Sequence, residues 1–413
     1  MSRLEELIQE YCPDGVEYRA LGELGKFYGG ISGKSSKDFK GGNSKYITYR
    51  NVYHNPALDL DVTDTVQIND DEHHNTLQYG DVIFTGSSET PDEVGFSSVV
   101  MSPVNEKIYL NSFCFFLRFN DINVMIPGFA KHLFRSEQLR HQIEKTANGV
   151  TRYNVSKKLM ERVIIPLPPL PVQEEIVRIL DSFTSLTAEL DAELEARKKQ
   201  YEYYREKLLS FPDGVELLPL SDVFEMKNGY TPSKRKSEFW ENGTIPWFRM
   251  EDIRENGRIL SDSIQHITPQ AVKGGKLFPA NSLIMATTAT IGEHALVIAD
   301  SLANQRFTFF TKRKSLENKL DMKFAFYYFY IIGDWCRQNT NISNFASVDM
   351  AKLKKYKFPL PPLSEQRHIV AILDHFDSLC NDLTSGLPAE IEARQKQYEY
   401  YRDKLLTFKQ LHA

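Results

Sequence analysis

A chain of 413 residues is too long for one ordinary hydrophobic core, so its length predicts two or more domains. The composition, with 41% hydrophobic and 12% aromatic residues, is that of a globular protein, and no apolar run approaches the roughly 18 residues that a membrane span needs. A net charge of −5 by itself argues against a nucleic-acid partner, but residues 217–357 carry 20 Lys and Arg against 14 Asp and Glu, whereas residues 18–160 carry 16 of each.

The N-terminal sequence and the cysteines indicate the compartment. Residues 1–11 lack the apolar core and the small-residue cleavage site of a secretory signal. The four cysteines, Cys12, Cys114, Cys336 and Cys380, lie far apart and form no CxxC pair, which is typical of free thiols in a reducing environment. We therefore expect a cytoplasmic protein.

Three motifs occur twice in the chain, which indicates an internal duplication. They are PDGVE (13–17 and 212–216), IPLPPLPVQEEIVRILDSF (165–183) with FPLPPLSEQRHIVAILDHF (358–376), and KQYEYYREKLLSF (199–211) with KQYEYYRDKLLTF (396–408). A period this long indicates duplicated domains rather than a solenoid. The expected organisation is two globular domains, each followed by a helical region: residues 1–164, 165–211, 212–357 and 358–413.

Within each globular domain the pattern is mixed, which predicts an α/β (mixed α+β) fold. Short runs of β-branched and aromatic residues predict strands at 81–87, 113–119, 281–290 and 305–313. Longer stretches of helical character predict helices at 126–145 and 321–339.

A proline-rich hinge, PLPPL, precedes each helical region, at 166–170 and 359–363. Because proline lacks an amide donor and favours extended geometry around it, a helix is expected to begin just after the hinge. In the first copy, residues 173–209 are predicted to form one helix of about 37 residues, roughly 55 Å long.

Apolar residues recur every three or four positions along both helical regions, which is the spacing of a coiled coil. In the first copy this seam comprises Ile176, Ile179, Phe183, Leu186, Leu190, Leu194, Tyr201, Tyr204 and Leu208. In the second copy it comprises Ile369, Ile372, Phe376, Leu379, Leu383, Leu387, Ile391, Tyr398, Tyr401 and Leu405. The second seam has one extra four-residue step near residues 386–388, where a glycine and a proline predict a kink or a restart.

Two matching seams in one chain predict that the two helices pack antiparallel and hold the two domains apart, which gives the fold a pseudo-twofold internal repeat. The alternative is that they are ordinary core helices of two domains. The length of the helices and the run of heptad spacings favour the first interpretation.

This plan resembles the specificity subunit of type I restriction-modification systems, in which two target-recognition domains alternate with two conserved helical regions. The resemblance covers essentially the whole chain. It depends on the paired hinges, on the paired QYEYYR phrases, and on LTAELDAEL at 186–194, which looks like the TAEL repeat of one subfamily.

The resemblance implies that each domain reads one half of a bipartite sequence in double-stranded DNA. It also implies that the helices set the spacer length and bind two modification (methyltransferase) subunits, and that restriction (endonuclease and translocase) subunits join afterwards. This chain would then be non-catalytic, with S-adenosylmethionine, ATP and Mg held by the partner subunits.

Basic, hydroxyl-bearing and aromatic residues near predicted strand ends are the expected DNA contacts. Lysine and arginine neutralise phosphates, hydroxyls bond phosphates or bases, and arginine makes bidentate contacts to guanine. The candidates in the first domain are Lys34, Lys45, Arg50, Ser87, Ser88, Arg152, Lys157 and Lys158. Those in the second domain are Tyr230, Lys234, Arg235, Lys236, Arg249, Thr287, Thr288, Arg306, Lys354 and Lys355. The alternative for each is a structural role, since most charge runs are solvated faces and many hydroxyls belong to strand edges.

No catalytic centre is expected from the motifs. Residues 28–36, YGGISGKSS, miss the phosphate-binding loop pattern by one position, and the corresponding residues 227–234 contain a proline and no GKS. Carboxylates and two histidines at 70–75 suggest a metal site, but the second copy has no counterpart, and a solvated loop is the simpler interpretation. The alternatives to a DNA-recognition subunit are a coiled-coil scaffold that holds protein partners without touching DNA, and an enzyme that acts alone.

Overall fold

The computed structural model describes residues 2–341, 346–382 and 385–411, which fold into mixed helices and sheets as predicted. The chain forms two compact units. Unit 1 comprises Met1–Ala192 with Glu390–Ala413, and unit 2 comprises Glu193–Ala389. Each unit therefore combines one globular domain with parts of both helical regions. None of the described helices is long and apolar enough to cross a membrane.

Unit 1 contains the first globular domain. Its strands are Glu17–Ala20, Gly25–Gly29, Ser44–Ile47, Thr65–Val66, Val82–Thr85, Ser87–Ser88, Ser97–Val99, Ile108–Leu110, Cys114–Phe119, Ala147–Asn148, Tyr153–Val155 and Ile164–Leu167. Its helices are Arg3–Tyr11, Leu21–Leu24, Tyr49–His54, Pro127–Leu133, Glu137–Glu144 and Lys157–Met160. The helix Leu170–Leu208, here called the central helix, begins in unit 1 and ends in unit 2.

Unit 2 contains the second globular domain. Its strands are Leu217–Pro219, Phe224–Asn228, Ile245–Phe248, Ile259–Leu260, His266–Ile267, Ser282–Ala286, His294–Val297, Leu302–Ala303, Phe307–Lys312, Thr340–Asn341, Ser347–Val348 and Lys357–Pro359. Its α-helices are Leu220–Val223, Met250–Asn256, Met322–Gln338, Met350–Lys355 and Leu363–Asn381, and its 3-10 helices are Ser237–Phe239, Pro269–Ala271, Lys273–Gly275 and Lys314–Leu316. The last helix of the chain, Leu387–Leu405, lies mostly in unit 1.

The main sheet has the same plan in both units. In unit 1 its strand order is Gly25–Gly29, Cys114–Phe119, Val82–Thr85 and Ser97–Val99, all antiparallel. In unit 2 the order is Phe224–Asn228, Phe307–Lys312, Ser282–Ala286 and His294–Val297, with Ile259–Leu260 added as a parallel edge strand. The four strands predicted from β-branched and aromatic runs are confirmed, and each is an inner strand of its main sheet.

Both faces of each main sheet are buried. Side chains alternate across a strand, so successive residues of one strand enter two different cores. In unit 1, Val82 and Phe84 belong to the core on the helical side, whereas Ile83 belongs to the core on the opposite side. In unit 2, Leu283 and Ile284 divide between two cores in the same way. The core on the opposite side is shared with a small three-stranded sheet and a short helix, which is Tyr49–His54 in unit 1 and Met250–Asn256 in unit 2. The helix Tyr49–His54 also lines the candidate interface described below.

The helical prediction at 126–145 is confirmed with one difference: the segment forms two helices, Pro127–Leu133 and Glu137–Glu144. Ser136 separates them because its backbone is extended, with ψ at 151°, and its hydroxyl donates to the Leu133 carbonyl at 2.7 Å. A side-chain bond of this kind competes with helical hydrogen bonding. The counterpart prediction at 321–339 is a single helix, Met322–Gln338.

A buried glutamine fixes the start of the helix after each hinge. The Gln173 amide accepts a hydrogen bond from the Ile126 N–H at 3.0 Å and donates to the carbonyls of Val124 and Pro168 at 3.0 and 2.8 Å. Gln366, which lies 193 residues later, makes the equivalent three bonds, at 2.8, 2.8 and 2.7 Å. In each copy one bond satisfies a hinge carbonyl and two satisfy backbone groups just before a helix of the globular domain, so the glutamine fastens the helix to its own domain.

The second helical region is broken, as the glycine and proline predicted. One helix ends at Asn381 and the next begins at Leu387. Gly386 is required at the break, because a Cβ there would lie 2.5 Å from the Ser378 carbonyl oxygen. The seam residue Leu383 lies outside the described residues.

Candidate nucleic-acid interface

A cleft of about 880 Å³ opens in unit 1, lined by the helix Tyr49–His54, the strand Ser87–Ser88 and the turn of the hairpin that ends in Tyr153–Val155. Its lining residues are Tyr49, Arg50, Tyr53, His54, Ser87, Ser88, Glu89, Glu93, Phe113, Thr151 and Arg152. Four residues that the sequence nominated for DNA contact therefore lie together: Arg50, Ser87, Ser88 and Arg152.

Arg152 is held in place on two sides of its guanidinium. Its Nε and Nη2 atoms donate to the Ser87 hydroxyl at 3.3 and 3.0 Å. Its guanidinium carbon also lies 5.5 Å from the ring centroid of Phe113, within the range of a cation–π contact. Among the described residues, no carboxylate pairs with Arg152, so its charge is available to a ligand.

Two stacked tyrosines line another part of the same cleft. Tyr49 and Tyr53 have ring centroids 6.1 Å apart. The Tyr49 hydroxyl donates to the Ser87 carbonyl at 2.8 Å, and burial raises the pKa of Tyr49. The Tyr53 hydroxyl donates to the Glu93 carboxylate at 2.7 Å, and this hydrogen bond raises the pKa of Tyr53. Both hydroxyls remain protonated at neutral pH and keep these donor roles.

Unit 2 presents different side chains at equivalent positions. Phe113 and Arg306 each directly precede an inner strand of the main sheet. The backbone N–H of each donates to an asparagine two residues earlier, Asn111 for Phe113 at 2.8 Å and Asn304 for Arg306 at 2.9 Å. Phe113 is 56% exposed, and Arg306 is also exposed. One backbone frame thus presents an aromatic ring in unit 1 and a guanidinium in unit 2.

A smaller cleft of about 300 Å³ surrounds Arg306 in unit 2. It is lined by Thr231, Lys234, Trp247, Arg249, Met250, Glu251, Asn304, Gln305 and Arg306. Arg249 lies 5.9 Å from the Trp247 ring, and its buried Nε atom has no hydrogen-bond partner among the described residues. The structure therefore brings together Lys234, Arg249 and Arg306, three of the nominated DNA contacts.

The remaining exposed candidates lie on loops and short helices. Lys157 and Lys158 occupy the helix Lys157–Met160, and Lys354 and Lys355 occupy the helix Met350–Lys355. In the loop before the 3-10 helix Ser237–Phe239, Lys234 and Arg235 are exposed and form no ion pair with a described residue, whereas Lys236 lies 3.8 Å from Glu238. Lys45 differs from these, because it is half-buried in the strand Ser44–Ile47 and forms an ion pair with Glu106 at 2.7 Å.

Other candidates are occupied by contacts within the fold. Lys34 forms an ion pair with Glu72, and its side chain is 5% exposed. Thr287 is buried, Thr288 is half-buried, and Ser87 and Ser88 are buried strand residues. The Tyr230 hydroxyl accepts a hydrogen bond from the Lys273 N–H at 2.6 Å. These contacts give Lys34 and Tyr230 a structural role that requires no DNA contact.

The sequence did not nominate Phe113, Tyr49 or Glu93. Aligning NSFCFF (111–116) with NQRFTF (304–309) on their asparagines would have placed Phe113 opposite Arg306 and revealed the first of them. Glu93 lies in the loop after the strand Ser87–Ser88, and it was missed because the candidates were drawn from basic, hydroxyl-bearing and aromatic residues and included no carboxylates.

The helical seams are formed within each unit. In unit 1, Ile176 is fully buried, and the ring of Phe183 stacks on Tyr401 at 5.3 Å. In unit 2, Phe376 stacks on Tyr201 and Tyr204 at 6.1 and 5.5 Å. The seam residues that are buried or half-buried are Ile176, Ile179, Phe183, Leu190, Leu194, Tyr201, Tyr204, Leu208, Ile369, Ile372, Phe376, Leu379, Leu387, Ile391, Tyr398, Tyr401 and Leu405. Leu186 is 37% exposed.

The two helical segments of unit 2 run antiparallel. Burial raises the pKa of Cys380, and the nearby charges of Arg197 and Lys198 partly oppose this rise, whereas Tyr201 and Tyr204 contact Phe376. As residue numbers increase along the central helix, the numbers of the residues that they meet on Leu363–Asn381 decrease, so the two helices are antiparallel. In unit 1, the Tyr398 hydroxyl is hydrogen-bonded to His132 at 2.9 Å, which joins the last helix to the first domain.

One tyrosine of each QYEYYR phrase points to solvent. Tyr203 is 59% exposed and Tyr400 is 61% exposed. Each has a lysine ammonium 5.8 Å from its ring centroid, Lys207 in the first phrase and Lys404 in the second. The repeat thus creates one exposed aromatic and basic surface in each unit.

Comparisons with known proteins agree with this arrangement. A family model described as "Type I restriction modification DNA specificity domain" matches residues 13–196 and 212–393. The specificity subunit of the type I restriction enzyme EcoprrI of Escherichia coli is 56% identical over 216 residues, which is 50% of this chain and 53% of that protein. The EcoR124I/EcoR124II specificity subunit of Escherichia coli is 44% identical over 272 residues, covering 62% of this chain and 65% of that protein. The chain thus spans between half and two thirds of these two relatives.

A solved structure concerned with complex assembly and conformational transition of the type I R-M system contains a chain of similar fold. The TM-score is 0.65 at 18% sequence identity, and the match covers 95% of this chain and 98% of that chain. At this identity the likeness concerns the fold alone.

Proposed function

The chain belongs to the type I restriction modification DNA specificity family, and on that premise we propose that it selects the DNA sequence on which a type I restriction-modification complex acts. In this proposal, the domain of each unit reads one half of a bipartite target in double-stranded DNA. The helices set the distance between the half-sites and dock the modification subunits. Restriction subunits join the same complex.

The observation that carries the proposal is the equivalence of Phe113 and Arg306. Both follow an asparagine that fixes the backbone, and both are exposed beside a cleft that gathers arginine side chains. Recognition of two different half-sites requires two domains that share a backbone framework but present different side chains, because those side chains contact the base edges. Two copies of one surface would instead read the same sequence twice.

The same proposal assigns the chemistry to other chains. The methyl donor S-adenosylmethionine, and ATP with Mg, would be bound by the modification and restriction subunits, and this chain would contribute recognition without catalysis. Methyl transfer or cleavage by the isolated chain would contradict this assignment.

Footprinting tests the proposal. The chain is purified with its modification subunits and bound to a pool of DNA duplexes with a random central region, and the selected duplexes are footprinted. We expect two protected blocks separated by an unprotected spacer whose sequence is not selected. Protection of one continuous short site would contradict a two-domain reader.

A basic-loop variant distinguishes recognition from a scaffold that does not touch DNA. Replacing Lys234, Arg235 and Lys236 by Ala should leave assembly with the modification subunits intact but weaken DNA binding and flatten its salt dependence, since each lost phosphate contact lowers the log–log salt slope by about 0.9. The matched control replaces Lys199 by Ala, an exposed lysine outside both clefts. An assembled triple variant with unchanged DNA affinity and salt slope would favour the scaffold.

A further inference from the structure

We propose that Arg152 reads a guanine in the half-site bound by unit 1, through the end of its guanidinium that faces away from Ser87. This inference rests on the proposed function, and it selects one residue and one base from the surface described above. The fixed geometry of the arginine, the donors it leaves unused and the charges around it support the assignment.

Arg152 is pre-organised by a tight turn and by a fixed hydroxyl. The turn needs Gly149, whose φ is +146° and where a Cβ would lie 2.0 Å from the Arg152 carbonyl oxygen. Ser87 is itself held by strand pairing with Asn154 and by the Tyr49 hydroxyl on its carbonyl. A side chain already held in its binding geometry loses less conformational entropy when a ligand arrives.

The contact with Ser87 leaves the donors that guanine requires. Ser87 accepts from Nε and from one N–H of Nη2. Nη1 and the second N–H of Nη2 make no hydrogen bond with a described residue, and they form the flat end of the guanidinium fork. Guanine presents two acceptors, O6 and N7, side by side in the major groove, and a bidentate arginine is the commonest specific contact to that pair.

The charges around Arg152 favour a base edge over a phosphate. Two carboxylates, Glu89 and Glu93, line the same cleft, and carboxylates repel the phosphate backbone. Glu93 is already engaged by the Tyr53 and Thr90 hydroxyls at 2.7 and 2.9 Å. Glu89 is exposed and makes no hydrogen bond with a described residue, so its carboxylate is available to accept from the N4 amino group of cytosine.

The other nominated arginines lack this preparation. Arg50 lines the same cleft, but no described side chain fixes its guanidinium. Arg249 has a buried Nε without a hydrogen-bond partner among the described residues, and Arg306 is exposed and makes no side-chain hydrogen bond there. Arg152 alone among these four combines a hydroxyl anchor, an aromatic neighbour and an unused fork.

The test compares variants by selection from a random duplex pool, using the chain assembled with its modification subunits. Arg152→Lys keeps the charge but removes the fork, and we expect it to lose about 10- to 100-fold of the preference for guanine at one position. Ser87→Ala should weaken the same preference by a smaller factor. Arg162→Lys, at an exposed arginine of unit 1 that does not line the cleft, is the control and should leave the preference unchanged.

The outcomes separate this inference from the function on which it rests. Loss of guanine preference at one position of one half-site, with the other half-site unchanged, supports the role of Arg152. A bipartite motif that Arg152→Lys leaves unaltered overturns that role and leaves the proposed function standing. A parent complex that selects no bipartite motif overturns both. Arg152 is exposed, so the thermal unfolding midpoint of Arg152→Lys should match the parent and show that folding is intact.

Discussion

The ring of Phe183 stacks on the ring of Tyr401 in unit 1, with centroids 5.3 Å apart and planes 17° apart. Phe376 stacks on Tyr204 in unit 2 in the same way, at 5.5 Å and 24°. Phe376 is the repeat counterpart of Phe183, and Tyr401 is the counterpart of Tyr204. In each unit, therefore, the phenylalanine of one repeat meets the tyrosine of the other. Neither repeat can complete its own unit alone.

A double-mutant cycle measures this exchange. Phe183→Leu and Tyr401→Leu should each destabilise unit 1, and the pair should show a coupling free energy of about 0.5–1.5 kcal/mol, since aromatic pairs contribute that much beyond buried area. Native-state hydrogen exchange of residues 170–192 reports the stability of this part of unit 1. The control cycle pairs Phe183→Leu with Tyr204→Leu, a tyrosine that belongs to unit 2, and its effects should add. Coupling of equal size in both cycles would contradict a local aromatic contact.

Local sequence features predicted the helices, and the two matching seams predicted that they pack antiparallel, but neither predicted which half of one region packs against which half of the other. The hinge prolines, the apolar spacing and the glycine with proline near 386–388 anticipated a central helix, observed as Leu170–Leu208, and a broken second region. These depend on neighbours a few residues apart. Which half of each helical region joins which unit depends on contacts such as Phe183 with Tyr401, which are more than two hundred residues apart in sequence. Leu186, whose spacing placed it in the seam, is 37% exposed, so spacing alone did not predict which seam positions are buried.

The candidate site divides in a similar way. Residue type and position beside predicted strands were sufficient to select Arg152 and Ser87 as candidates. They did not predict the hydrogen bond between the two side chains. Their hydrogen bond arises because Ser87 and Asn154 face each other across a short sheet, and strand pairing does not follow from single-strand propensity. Lys34 illustrates the converse: a basic residue in a loop is paired with Glu72 by tertiary folding.

The repeated PDGVE motif supplies a matched pair of glycine substitutions. Gly15 has φ +124°, and a Cβ there would lie 2.6 Å from the Lys409 carbonyl oxygen, whereas Gly214 has φ +109° and open space around it. The positive φ disfavours a side chain at both positions. Only at Gly15 would a Cβ also clash with the Lys409 carbonyl oxygen, which accepts a hydrogen bond from the Val16 N–H. We expect Gly15→Ala to lower the free energy of unfolding by about 1–2 kcal/mol more than Gly214→Ala. Equal shifts in the thermal midpoint would contradict the clash.

Two buried histidines predict a loss of stability on acidification. Burial lowers the pKa of His132, and it lowers the pKa of His294 to about 3 from 6.5. Between pH 6.5 and 4 the unfolded chain therefore binds protons that the folded chain does not, so stability falls as pH falls, by up to about 1.4 kcal/mol per pH unit for His294. The measurement is the thermal midpoint at pH 7.5, 6.5 and 5.5.

A variant series identifies the source of that slope. His294→Gln removes the titrating group from its buried site, so the decrease in midpoint between pH 7.5 and 5.5 should become smaller than in the parent, although the variant is less stable at every pH. His141→Gln, at an exposed position, is the control and should keep the parental decrease. If His294→Gln keeps the full parental slope, other groups control the acid response.

Because Tyr203 and Tyr400 occupy equivalent exposed positions in the two repeats, we predict that they form two equivalent docking sites for modification subunits. Both side chains are about three-fifths exposed and flanked by a lysine, and exposed aromatic residues of this kind often dominate protein interfaces. Tyr203→Ala and Tyr400→Ala should each weaken one docking site by at least about 2 kcal/mol, so native mass spectrometry should show one bound modification subunit for either variant and none for the double variant. Lys199→Ala and Lys396→Ala, matched positions in the same phrases, serve as controls. A double variant that still binds two modification subunits would place the docking surface elsewhere on the chain.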